Sequence, residues 1–252
     1  MKRHGILFIS SQPKSFTQAA GVPDDHHWFR DALGQRFDDF ELKHLFVPED
    51  DLPNTVEEDA IILGGSVHST YENLPWMNRL KEFVQIMSDT RKAILGVCFG
   101  HQFIAQTFGG KVINNPRGRE LGNVVVNLSA EGLADPLFEN FGPQIVVPQS
   151  HRDRVVQLPE WGNPRILAQN TMCEHQSVAY GDNIRTVQFH PEITPEILRG
   201  IVQSRREALL NAGHFASDEE LREFVEGIEK TFSHEAVEIL RNFFRNFVRE
   251  ER

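Results

Sequence analysis

The sequence predicts an α/β fold, with a mostly parallel central sheet covered by helices and further helices at the C-terminal end. Three observations predict it. Short apolar runs alternate with helical patterns through the first hundred residues. Brief strand-like runs, separated by Gly, Pro and Asn turns, then fill residues 111–188. Beyond Pro191 the apolar spacing becomes helical. Strand–helix alternation needs crossover connections, and these produce parallel sheets buried on both faces.

Taken in order, residues 6–9 (Ile-Leu-Phe-Ile) read as a first strand and residues 24–33 as a helix. Residues 40–47 are a second strand, closed by Pro48, and residues 60–63 (Ala-Ile-Ile-Leu) a third that stops at Gly64-Gly65. Leu80, Phe83, Val84 and Met87 fall on one face of a helix over 76–87. Residues 93–97 form another buried strand, followed by a helix over 100–108 that ends at Gly109-Gly110. The runs 124–128, 144–147, 154–157, 166–168, 177–180 and 186–189 predict a mixed extension of the same sheet. Thr194-Pro195 supplies an N-cap and first-turn proline for a helix reaching about residue 211. Ser217 and Glu220 form a capping-box pattern ahead of Leu221, Phe224, Val225, Ile228 and Phe232. Val237, Leu240, Phe244, Phe247 and Val248 mark a last amphipathic helix. We divide the chain into a main domain, 1–200, and a helical extension, 201–252, packed on that domain or on a partner chain.

Composition narrows the function. The 252 residues are 40% hydrophobic and 25% charged, as expected of a globular protein with a substantial core. A formal net charge of −10 argues against a nucleic-acid footprint. No apolar run is long enough to cross a bilayer, so no membrane partner is expected. The basic, then apolar start Met1-Lys2-Arg3 and onward lacks the length and the small-residue site of a secretory leader. Only Cys98 and Cys173 are present, without a CxxC pair, which points to a reducing cytoplasm.

Chemistry concentrates at Ile94-Leu95-Gly96-Val97-Cys98-Phe99-Gly100-His101-Gln102. An apolar strand running through Gly-x-Cys-x-Gly into a helix is the pattern of a nucleophile elbow. A lone strand-end cysteine is ordinarily a buried structural residue. Here the flanking glycines suit a tight turn, and the helix N-terminus favours thiolate. The second segment, Val187-Gln188-Phe189-His190-Pro191-Glu192, offers a base and a carboxylate two residues apart. Strand alternation would set them on one side, the carboxylate orienting the imidazole. By itself such a segment is often only a capped turn; with the elbow it completes a Cys–His–Glu triad.

Together the two segments resemble the class I glutamine amidotransferase family, especially the glutaminase domain of GMP synthase and its stand-alone relatives. The resemblance spans roughly residues 5–200. Ile62-Leu63-Gly64-Gly65-Ser66 resembles the family's oxyanion loop, and Gln149-Ser150-His151-Arg152-Asp153 its glutamine-gripping segment. Arg119-Glu120-Leu121-Gly122 resembles a loop of the GMP-synthase-like branch. The resemblance implies a Rossmann-like, flavodoxin-type three-layer sandwich and no cofactor. It implies that Cys98 attacks the side-chain amide of glutamine, with His190 as base and acid and Glu192 as orienter. It also implies that the Gly65 and Phe99 amides hold the oxyanion and that Gln102, Ser150 and His151 contact the substrate. Glu120 gains no role from it.

Other residues carry less. His26-His27 beside Asp24 and Asp25 read as a solvated helix start and not a metal site, because adjacent side chains diverge. His68 reads as a surface loop residue, Cys173 as inert, and the tail phenylalanines as core. With no phosphate-binding loop of the Gly-x-x-x-x-Gly-Lys type, acceptor chemistry would require a separate synthetase subunit. The first functional reading is therefore a glutaminase supplying ammonia to such a partner. The second is a free-standing hydrolase of γ-glutamyl compounds, and the third an idle binding module.

Overall fold

The computed structural model describes residues 4–15, 23–34 and 40–248. The basic start Met1-Lys2-Arg3 and the last four residues of the C-terminal extension lie outside them. The architecture is the expected α/β sandwich. Strands β1 (His4–Ser10), β2 (Phe40–Phe46), β3 (Ala60–Leu63) and β4 (Ala93–Val97) run parallel in the order β2-β1-β3-β4. Between them lie helices α1 (Asp25–Leu33) and α2 (Pro75–Ser88), and α3 (Phe99–Thr107) follows β4.

Alternation along these strands builds two cores. Ile6, Phe8, Ala60, Ile62, Leu95 and Val97 face one side, with Phe29 and Leu33 of α1. Leu7, Ile9, Ile61, Leu63 and Ile94 face the other, against Leu80 and Phe83 of α2 and Phe99, Phe103 and Ile104 of α3. Strands buried on both faces read as continuous apolar runs, which is why these were legible.

The second half departs from the prediction in detail. β11 (Ile184–Val187) pairs parallel with β4, and β10 (Ser177–Tyr180), β9 (Arg165–Gln169), β6 (Glu120–Leu128) and β7 (Gln144–His151) continue the sheet antiparallel. β8 (Asp153–Gln157), expected in this sheet, instead pairs with β5 (Lys111–Asn114) in a separate two-stranded ribbon. The chain turns at Arg152, between β7 and β8, and leaves the main sheet there. β5 was missed because a four-residue run with only two apolar side chains carries too little periodicity. Helix α4 (Ala130–Ala134) precedes β7. The last strand ends two residues earlier than predicted, so Phe189 and His190 lie beyond it.

The helix expected to reach residue 211 is broken at Arg205 into α5 (Pro195–Ser204) and α6 (Arg206–Asn211). Thr194 caps α5, accepting from the Ile197 amide. At the start of α7 (Asp218–Thr231) Ser217 accepts from the Glu220 amide, while the Glu220 carboxylate receives the Ala216 amide. Ile193, Leu198, Ile201, Leu209, Leu221 and Ile228 close a core of their own around Trp28. Helix α8 (Val237–Phe247) packs Ile239, Leu240 and Phe243 into the core that contains Phe8 and Phe29.

Candidate active site

Cys98 lies between β4 and α3 with φ 53° and ψ −99°, a left-handed backbone that non-glycine residues adopt only under constraint. Its amide is pinned by the Val187 carbonyl at 2.9 Å. Cys98 is buried, yet it lines two cavities that meet at this residue.

His190 and Glu192 sit in a turn beyond β11, not on the strand. The Ile193 amide donates to the His190 carbonyl, and the His190 amide donates to Pro148 in β7. The turn, not strand alternation, brings the Glu192 carboxylate to 2.6 Å from His190 Nδ1. Nδ1 is thereby committed to Glu192, and the ring lines the same inner chamber as Cys98. Burial disfavours a charge on this ring, but the Glu192 carboxylate and Cys98 outweigh it and hold His190 well above its usual range. The arrangement favours an imidazolium beside the Cys98 sulfur.

Gly65 lies directly over this pair. A Cβ on it would meet His190 Cε1 at 3.3 Å and Cys98 Cβ at 3.9 Å. Phe99 opens α3, so its N–H has no acceptor within the helix. Both expected oxyanion residues thus flank Cys98.

The outer cavity, about 250 Å³, is lined by Cys98, Phe99, Gln102, Ser150 and His151 together with Arg119, Arg152 and Arg205. Gln102 is buried and its amide donates to the Asp153 carbonyl and to Gln188. The Ser150 hydroxyl accepts from Arg205 at 3.1 Å. The His151 ring faces the Asp153 carbonyl at 2.9 Å and the Glu120 carboxylate at 3.0 Å. All three predicted contact residues line the cavity, and each has at least one polar atom engaged by a protein group. The inner chamber, about 30 Å³, lies between Cys98, His190, Glu192, Gln12 and Asp25.

Four sequence expectations need correction. Glu120 is not a loop residue without a role: it is buried at the start of β6, accepts from Asn170 and Gln176, and faces His151. His68 lines the outer cavity and pairs with Glu72 at 2.8 Å. Asp25 is buried and not solvated, and Ser10 donates to it. The fold also brings His44 from β2 to the His26 ring, with centroids 3.8 Å apart, so Asp25, His26 and His44 form a cluster that sequence spacing concealed. Cys173 is buried, and burial pushes its thiol up to about 12, in keeping with an inert residue.

The sequence also left the cavity arginines unassigned. Arg119 and Arg152 stood inside quoted motifs, but Arg205 had no local signal. Burial and the neighbouring Arg119 bring the Arg205 guanidinium down to about 10, and burial and Arg152 lower Arg119.

Comparison with known proteins agrees with this geometry. Gamma-glutamyl peptidase 4 of Arabidopsis thaliana is 30% identical over 214 residues, covering 83% of this chain and 82% of that protein. The glutamine-hydrolyzing subunit of GMP synthase from Methanothermobacter thermautotrophicus is 30% identical over 153 residues, covering 60% of this chain and 79% of that protein. A glutamine amidotransferase structure from Thermotoga maritima superposes with a TM-score of 0.78 at 18% identity, over 99% of this chain and 100% of that one, and so shares the fold. The family model described as Glutamine amidotransferase class-I matches residues 22–200, the span that carries the Cys98 elbow, the Gly64-Gly65 loop and the His–Pro–Glu turn. The chain belongs to the class I glutamine amidotransferase family.

Proposed function

We propose that the protein is a Cys98-dependent hydrolase of γ-glutamyl C–N bonds, acting on free γ-glutamyl compounds. The observation that carries the chemistry is that Cys98, at its strained elbow, shares one chamber with a His190 held by Glu192 at 2.6 Å. The Cys98 thiolate attacks the γ-carbonyl carbon, and the Gly65 and Phe99 amides stabilise the oxyanion, each worth about 10²–10³ in rate. His190 protonates the departing nitrogen as the C–N bond breaks, leaving a γ-glutamyl thioester. His190 then takes a proton from water, which attacks the thioester and restores the thiolate. The inner chamber of about 30 Å³ beside His190 has room for such a water.

Two observations favour a free-standing γ-glutamyl hydrolase. Similarity to a gamma-glutamyl peptidase runs over 83% of the chain, against 60% for the GMP synthase relative. The outer cavity also provides about 250 Å³ for more than the glutamyl group. Similarity to that GMP synthase relative supports the second reading, release of ammonia from glutamine for a separate synthetase. A thiol nucleophile suits the reducing cytoplasm.

The test is a screen of the purified protein against glutamine and a panel of γ-glutamyl dipeptides, following ammonia and free amino acid. Release of the second amino acid by wild type but not by Cys98→Ala supports the first reading. Ammonia from glutamine alone selects the second. Turnover of neither ends both.

A further inference from the structure

We infer that the outer cavity selects γ-glutamyl compounds whose leaving group carries a second carboxylate, read by Arg119 and Arg152 while Arg205 takes the glutamyl α-carboxylate. This rests on the γ-glutamyl hydrolase reading and specifies its substrate class.

The argument begins from charge. Three guanidinium groups line one cavity in a chain whose formal net charge is −10. Asp153 is the one carboxylate among the described lining residues, and it already accepts from Tyr71 at 3.1 Å and Asn114 at 3.2 Å. Arg152 reaches Asp153 only at 3.8 Å. Arg119 has no carboxylate partner among the described residues and is half-buried, so its charge is neither paired nor fully hydrated. Like charges gathered in a concave, partly dehydrated site destabilise the empty protein and attract an anion.

Glutamine does not match such a site. Its α-carboxylate and α-ammonium cancel, so it brings no net charge to three cations. A γ-glutamyl amino acid adds a carboxylate on the far side of the scissile bond and carries net charge −1. Position divides the arginines. Arg205 is shared by both cavities and held by Ser150, next to the nucleophile. Arg152 is exposed at the turn between β7 and β8, and Arg119 immediately precedes β6 beside it. Guanidinium forks suit carboxylates because they donate two parallel hydrogen bonds.

Binding to Cys98→Ala protein tests this without requiring turnover. Calorimetric titration compares γ-glutamylglycine with γ-glutamylglycinamide, which differs only in lacking the second carboxylate. We expect the acid to bind at least about tenfold more tightly, with the preference shrinking as salt rises. Arg152→Gln or Arg119→Gln in the same background should reduce it to below about threefold. Equal affinity of acid and amide, or a preference that survives both substitutions, overturns the inference. The hydrolase reading is scored separately by wild-type turnover. If the acid is preferred in binding but no γ-glutamyl compound is cleaved, the reading fails and the anion-selective cavity stands. If γ-glutamyl compounds are cleaved without preference for the acid, the inference fails and the reading stands.

Discussion

Gly100, in the first turn of α3, lies so close to Leu63 at the end of β3 that a Cβ on it would stand 2.3 Å from the Leu63 carbonyl oxygen. Strand and helix meet here with no side chain between them. The contact seats α3 against the strand that leads into Gly64-Gly65, so it fixes the spacing between Cys98 and that loop.

Gly100→Ala is therefore expected to force α3 away from β3. Overpacking against backbone costs about 1–3 kcal/mol, read as a lower midpoint in urea unfolding. Turnover should fall more than stability, because Cys98 and Gly65 separate. An unchanged midpoint and unchanged turnover would show that the close approach does not matter.

The His190–Glu192 bond predicts an ordered loss of activity. In the proposed mechanism His190 is both base and acid, so His190→Ala should lower kcat by about 10⁴-fold or more. Glu192→Ala removes only the group that orients and charges the ring, so its loss should be smaller by about one to two orders of magnitude. Equal or reversed losses in steady-state kinetics would remove Glu192 from the role of orienter.

Asp25 predicts a pH dependence of stability. Its carboxyl is buried in the inner chamber, with one oxygen receiving Ser10 and the other unpartnered. Burial, only partly offset by the Ser10 hydrogen bond and reinforced by the Glu192 charge, pushes it from 3.8 up to about 7. The folded protein therefore holds a proton that the unfolded chain releases near pH 4. Stability from this group is fully present below about pH 4 and is lost as pH rises to about 7, by up to about 4 kcal/mol. Asp25→Asn should flatten that decline in thermal unfolding between pH 4 and 7. An identical slope in wild type and variant would rule the effect out.

The parallel half of the sheet was legible because Ile6 to Ile9, Ala60 to Leu63 and Ala93 to Val97 are buried on both faces. The proposed triad residues stood out because each lies in a short local pattern, Gly-x-Cys-x-Gly or His-Pro-Glu. Glu120 did not: its importance comes from Asn170, Gln176 and His151, which lie on other segments. Arg205 was hidden for a different reason. It breaks a helix that local spacing reads as continuous, and only the position of α5 turns it toward Ser150.

Sequence alone determined the layered α/β class and singled out the Cys98 and His190–Glu192 segments, because these depend on periodicity and on motifs a few residues long. Tertiary structure decided where β8 pairs, how the His190–Glu192 turn is anchored to Pro148, and which arginines share the cavity. Those outcomes depend on contacts between residues tens of positions apart, and such contacts leave no period in the chain.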